Sequence, residues 1–215
     1  MTPIQDCIKN KNTNLNPIWI MRQAGRYLPE FREIRAKNTD FIKLCLNESL
    51  STEITLQPIR RFDFDAAIIF SDILMLPFGL GQEVKFEKGL GPKLVELNLD
   101  LIENVSKDEF TKKLNPVYKS ISNISKNSIC KNKDIIGFVG APWTILVYMI
   151  NKMSPKNSLS KKIFEDKLLI KKLIALIVKF LKIHVENQIK NGADIIQIFD
   201  SWSGLLDCLL YTSPS

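Results

Sequence analysis

An α/β fold built on a parallel sheet is predicted by three observations. Three short runs, residues 65–70, 135–139 and 193–199, are apolar on both faces, as strands covered by a layer on each side require. A long stretch of helical periodicity separates the last two, which is the pattern of a parallel pair joined by a helical crossover. Each run then gives way to small, polar or turn-forming residues: Ser71-Asp72 after the first, Gly140-Ala141-Pro142 after the second, Asp200-Ser201 after the third. In parallel α/β folds that carboxyl edge is where ligands bind, although ordinary turn chemistry produces similar sequences.

The elements follow in order. A helix is expected over about residues 40–61, with Pro58 distorting its last turn. The first strand, 65–70, comes next. Residues 82–87 alternate polar and apolar side chains between glycine-rich turns at 79–81 and 89–92, which suggests a further strand. A weaker helical pattern covers about 107–125 and precedes the strand at 135–139. The crossover helix spans roughly 160–191, with Ile163, Leu169, Leu173, Ile177, Phe180 and Val185 on its apolar stripe and Gly192 as a C-terminal stop. The lysines at 161, 171, 172, 179 and 182 fall largely on the wet face.

Composition narrows the class. The 215 residues are 45% hydrophobic and 25% charged, the balance of a globular protein with a sizeable core. No apolar run approaches the roughly 20 residues that span a bilayer, and the N-terminus lacks the basic-then-apolar order of a secretory signal, so a cytoplasmic protein without membrane partners is expected. Four cysteines, at 7, 45, 130 and 208, have no paired spacing and are read as reduced structural thiols. With one histidine and scattered thiols, no metal site is expected. Thirty basic against 23 acidic residues give a net charge of +7, but the lysines are spread along the chain rather than clustered with aromatics, so no nucleic-acid partner is expected.

The segment Pro17-Ile18-Trp19-Ile20-Met21-Arg22-Gln23-Ala24-Gly25-Arg26-Tyr27-Leu28-Pro29-Glu30-Phe31-Arg32 is unusual for a purely structural stretch. Two arginines four apart in an apolar-aromatic setting need anions if they are buried or half-buried. Protein carboxylates (Glu30, Glu33 or Asp63) or the carboxylates or phosphates of a substrate could supply them. His184 lies within the long helix and is expected to sit on its surface or to pack rather than to catalyse, and Trp19, Trp143 and Trp202 are expected to pack. Asp200 beside Ser201 has no histidine base nearby in sequence and makes a poor nucleophile pair.

That segment closely resembles the N-terminal signature of the uroporphyrinogen decarboxylase family. The resemblance continues through residues 68–74, 137–144 with Tyr148-Met149, and 199–204, four blocks in the family's order over about residues 17–206. It implies a (β/α)8 TIM barrel, present here as about its first four βα units, with the strand ends facing one active-site mouth. It implies a cofactor-free carboxy-lyase of haem biosynthesis that removes carbon dioxide from the four acetate arms of uroporphyrinogen, and a homodimer when full length.

By the resemblance, Arg22 and Arg26 grip substrate carboxylates, with Gln23 and Ala24 between them in the binding loop. Asp72 accepts hydrogen bonds from the pyrrole N–H groups. Tyr148 and Ser201 hold carboxylate arms, and Ile68, Phe70 and Phe199 wall the macrocycle. Asp72 and Arg22 are the catalytic assignments. One family proposal makes the arginine matching Arg22 the acid; an arginine side chain, with a pKa above about 12, would need a relay through substrate or water.

The sequence also departs from the family. Residues 1–206 read as the N-terminal part of one barrel domain, while 207–215 do not resemble the family's continuation and read as a foreign tail. A half barrel leaves open strand edges and an uncovered interior, so the 215 residues alone are expected to be inactive. A porphyrinogen-binding protein without turnover and a corrinoid-dependent methyltransferase of the same barrel type are the alternatives.

Overall fold

The computed structural model describes residues 1–11, 14, 16–87, 89–155 and 166–205. The start expected for the crossover helix near residue 160, with Lys161 and Ile163, lies outside the described residues, as does the whole 207–215 tail.

The centre is a three-stranded parallel sheet in the order β1 (Ala66–Ile68), β4 (Asp134–Gly140), β5 (Ile195–Phe199). All three expected parallel strands are present. Ile68 pairs with Ile136, and Ile136 with Ile195, so alternate residues of neighbouring strands share a face. Residues 82–87 do contain a strand, β2 (Val84–Glu87), but it stands apart from the parallel sheet. It pairs antiparallel with β3 (Gly91–Leu94), a partner hidden in sequence because Gly91-Pro92 opens it.

The helices are α1 (Pro3–Asn10), α2 (Pro29–Lys37), α3 (Phe41–Cys45), α4 (Glu48–Phe62), α5 (Met75–Gly79), α6 (Leu99–Glu103), α7 (Lys107–Ser125), α8 (Pro142–Asn151) and α9 (Lys167–Lys190). The single helix expected over 40–61 is two, because Asn47 accepts the Leu50 N–H at 2.9 Å and caps a new start. Beyond that break α4 runs on through Pro58 to Phe62. Ser106 and Glu109 close a reciprocal capping box on α7, whose bounds match the sequence reading. Asp166 caps α9 through the Leu169 N–H, and Gly192 follows that helix at φ +106°, as a glycine stop should.

Two apolar layers flank the sheet. The larger, formed with α4, α7, α8 and α9, takes up Ala67, Ile69, Ile135 and Val139. The smaller covers the opposite face, where Ala66, Ile68 and Ile136 meet Ile4, Trp19, Phe138, Ile195 and Phe199. Helix α1 closes the amino end of this second layer: buried Asp134 accepts from Thr2 Oγ1 at 2.6 Å, Gln5 Nε2 at 2.9 Å and the Ile4 N–H at 3.2 Å. At the far side β5 is only half-buried, and Ile198 is 59% exposed.

Candidate functional site

The carboxyl ends of the three parallel strands are drawn together by backbone and side-chain bonds. Phe70, just past β1, has its C=O held by Ser51 Oγ at 2.7 Å and its N–H held by Thr55 Oγ1 at 2.9 Å, both from α4. The chain beyond it is thereby fixed as it turns through Asp72 into α5. Gly140, at the end of β4, approaches this turn so closely that an added Cβ would lie 3.1 Å from Ile73 Cβ. The next residue, Ala141, donates its N–H to Phe199 O at 2.8 Å and joins the end of β5 to the same edge.

Asp72 lies at this edge beyond β1, an outer strand of the described sheet. Its Oδ1 accepts the Leu74 N–H at 2.8 Å, starting the turn into α5. The residue as a whole is half-buried, but its carboxyl is crowded by protein, and this desolvation pushes its pKa from 3.8 up to about 6. The Leu74 hydrogen bond and the positive charge of Arg22 pull in the other direction. Arg22 and Asp72, 50 positions apart, are therefore close enough to interact.

The loop carrying Arg22 is stapled onto β1. The Ile18 N–H donates to Asp65 Oδ2 at 2.6 Å, and the Asp65 N–H donates to Ile18 O at 3.0 Å. Gln23 is fully buried; its Nε2 donates to Ala66 O at 2.9 Å and its Oε1 accepts the Ile20 N–H at 3.1 Å. Tyr27 closes the turn by donating to Gln23 O at 2.7 Å. Gly25 is required here, because a Cβ would lie 2.6 Å from the Tyr27 ring.

Arg22 and Arg26 themselves are exposed, which corrects the expectation of buried guanidiniums: Gln23 and Leu28 take the inward positions. The carboxylates considered as their partners are largely engaged elsewhere. Glu30 pairs with Arg61 at 3.0 Å and Asp63 with Lys133 at 2.7 Å. Among the described residues, neither Arg22 nor Arg26 forms an ion pair.

The other sequence-predicted residues divide in two. Ile68 and Phe199 lie on the inner sheet face, with Phe199 edge-on to Phe138 at 5.5 Å between ring centres. Ser201 is exposed just beyond β5. Tyr148, on α8, stacks edge-on with Trp202 at 6.0 Å, and its hydroxyl is 3.3 Å from Ser154 Oγ. Phe70, by contrast, turns its ring into the larger core against Phe31 and Phe41, and Ala24 packs on that core as well. The side-chain amide of Gln23 is committed to backbone.

Residues that the sequence reading passed over hold the site in place: Ser51, Thr55 and Thr144. Ser51 and Thr55 carry a legible signal, two hydroxyls four apart on an otherwise apolar helix face. His184 packs, as expected, within hydrogen-bond distance of Tyr118 Oη, 2.9 Å from Nδ1. Among the described residues no group of histidine, cysteine and carboxylate side chains could hold a metal ion, and no helix is long and apolar enough to cross a membrane.

The described fold is thus a parallel α/β sheet with a desolvated aspartate beyond the carboxyl end of β1, near enough to feel the charge of exposed Arg22. The chain belongs to the uroporphyrinogen decarboxylase (URO-D) family, whose profile matches residues 1–213. It is 44% identical over 198 residues to uroporphyrinogen decarboxylase of Rickettsia felis, covering 91% of this chain and 57% of that protein. It is 43% identical over 208 residues to the Campylobacter jejuni enzyme of the same name, with coverages of 95% and 61%. The chain thus spans about three-fifths of the length of these curated relatives. Among solved structures, a methyltransferase from Methanosarcina mazei superposes with a TM-score of 0.56 at 16% identity, over 79% of this chain and 51% of that one. This is a likeness of fold alone.

Proposed function

We propose that the whole protein to which these residues belong is a uroporphyrinogen decarboxylase, and that residues 1–206 contribute the first part of a (β/α)8 barrel with its active-site mouth at the carboxyl edge. The observation that carries this reading is the desolvated carboxyl of Asp72 beyond β1, within reach of the charge of Arg22, with both residues inside the family's signature blocks. The reading extends to a cytoplasmic homodimer that needs no cofactor.

The chemistry follows from the substrate. An acetate arm on a pyrrole cannot simply lose carbon dioxide, because the carbanion left behind has no sink. Protonating the neighbouring ring carbon makes a cationic ring that accepts the electron pair as the C–C bond breaks. A second proton, added to the exocyclic methylene, makes the methyl group, and loss of the first restores the pyrrole. Each arm consumes one proton net and releases one carbon dioxide.

In this scheme Asp72, as carboxylate, accepts the central pyrrole N–H groups and stabilises the ring cation, a fixed charge placed where positive charge develops. Arg22 and Arg26 fork onto carboxylate arms, and Arg22 hands on a proton through a substrate carboxylate or water. Tyr148 and Ser201 hold further arms. Ile68 and Phe199 supply the apolar wall. Phe70, with its ring in the core, backs the turn to Asp72, and Gln23 and Ala24 shape the loop between the arginines.

The test is stoichiometric. Protein expressed from the whole gene and given uroporphyrinogen under reducing conditions is expected to release four carbon dioxides for each coproporphyrinogen formed. Tight binding without release would support the non-catalytic porphyrinogen-binding reading instead.

A further inference from the structure

We infer that Thr144 is a positioning residue for the substrate arm held by Ser201, an inference that rests on the decarboxylase reading. Thr144 is the third residue of α8 and is wholly buried, so it cannot touch a ligand. Its hydroxyl nevertheless acts twice on the turn that follows β5. It donates to Asp200 Oδ1 at 2.7 Å and accepts the Trp202 N–H at 3.1 Å. The two partners flank Ser201, which is exposed. One buried hydroxyl therefore grips the residues on both sides of the serine that faces solvent.

Two further bonds show that this corner is built as a unit. The Ala141 N–H donates to Phe199 O at 2.8 Å, and Trp143 Nε1 donates to Trp202 O at 2.9 Å. Residues 141–144 thus hold residues 199–202 at four points. Of these four bonds, the two made by the Thr144 hydroxyl join both sides of Ser201 through one atom, as donor and acceptor at once. Valine has the same shape and can make neither; serine can make both. Asp200 is exposed, so its side chain can be removed without disturbing the core.

The experiment uses protein from the whole gene and steady-state decarboxylation of uroporphyrinogen. T144V is expected to raise KM about tenfold to a hundredfold, the scale of losing one charge-assisted hydrogen bond to an arm, with a smaller change in kcat. T144S is expected to restore KM most of the way. D200A should move KM in the same direction, and it carries the test if T144V does not fold. A double-variant cycle is decisive: if Thr144 acts through Ser201, T144V/S201A is no worse than the weaker single variant. An unchanged KM in a folded T144V or in D200A, no effect of S201A, or additive effects of T144V and S201A would overturn the inference. Absence of carbon dioxide release by the unsubstituted protein would be a failure of the decarboxylase reading itself.

Discussion

Asp72 shows how one residue can be tuned against stability. Its carboxyl is desolvated and its pKa stands at about 6 instead of 3.8, so ionisation works against the fold. The favourable contribution of the protonated form is fully present below about pH 3.8 and is lost as pH rises through about 6. Asp72→Asn is therefore expected to melt higher than the parent above pH 6, and the two curves should converge near pH 4. The proposed mechanism asks for the opposite state, because only the carboxylate carries the negative charge that would stabilise a ring cation. The kcat/KM of the free enzyme should fall on the acid side of about pH 6. Arg22 holds the Asp72 pKa down, so Arg22→Gln should move that acid limb to higher pH and Arg22→Lys should largely keep it in place. A limb that ignores Arg22 would separate the two residues functionally.

At the scale of elements, the legible parts were those with local punctuation. Helix α7 was readable as a helical pattern over about 107–125, and the three parallel strands as short, mostly apolar runs that end in turn-forming residues. The division between α3 and α4 was missed because Asn47 competes with a helix pattern that continues on both sides. The inward position of Gln23 and the coreward turn of the Phe70 ring were not legible. Both depend on what lies across the fold: Ala66 O for the amide, Phe31 and Phe41 for the ring.

The packing of α7 on α9 carries its own prediction. His184 is buried beside Tyr118, and burial lowers its pKa from 6.5 to about 4. Protonation therefore favours the unfolded chain, and the stability His184 lends above about pH 6.5 is lost as pH falls toward 4. Asp72 acts in the reverse sense over nearly the same window, so each is read from a variant minus its parent. The stability of His184→Gln minus that of its parent, measured by chemical denaturation at each pH, should rise as pH falls from 6.5 to 4. A difference that stays constant would place the acid sensitivity elsewhere.

On the scale of the molecule, the sheet has one face covered by helices in the larger apolar layer and a second covered by a smaller one. Helix α1 and Asp134 close the amino end of that second face, and Arg22 lies near Asp72 beyond the carboxyl end of β1. The half-buried β5 and exposed Ile198 mark the side where the apolar layer is thinnest. Ile68 and Phe199 belong to the apolar layer on that second face. The central claim is that the carboxylate of Asp72 stabilises the ring cation. It is tested most directly by single-turnover carbon dioxide release from uroporphyrinogen by Asp72→Asn protein expressed from the whole gene. The expected result is a folded protein that still binds substrate but releases carbon dioxide about a hundredfold to a thousandfold more slowly, the usual cost of removing one preorganised electrostatic group. Release at the parental rate would contradict the account.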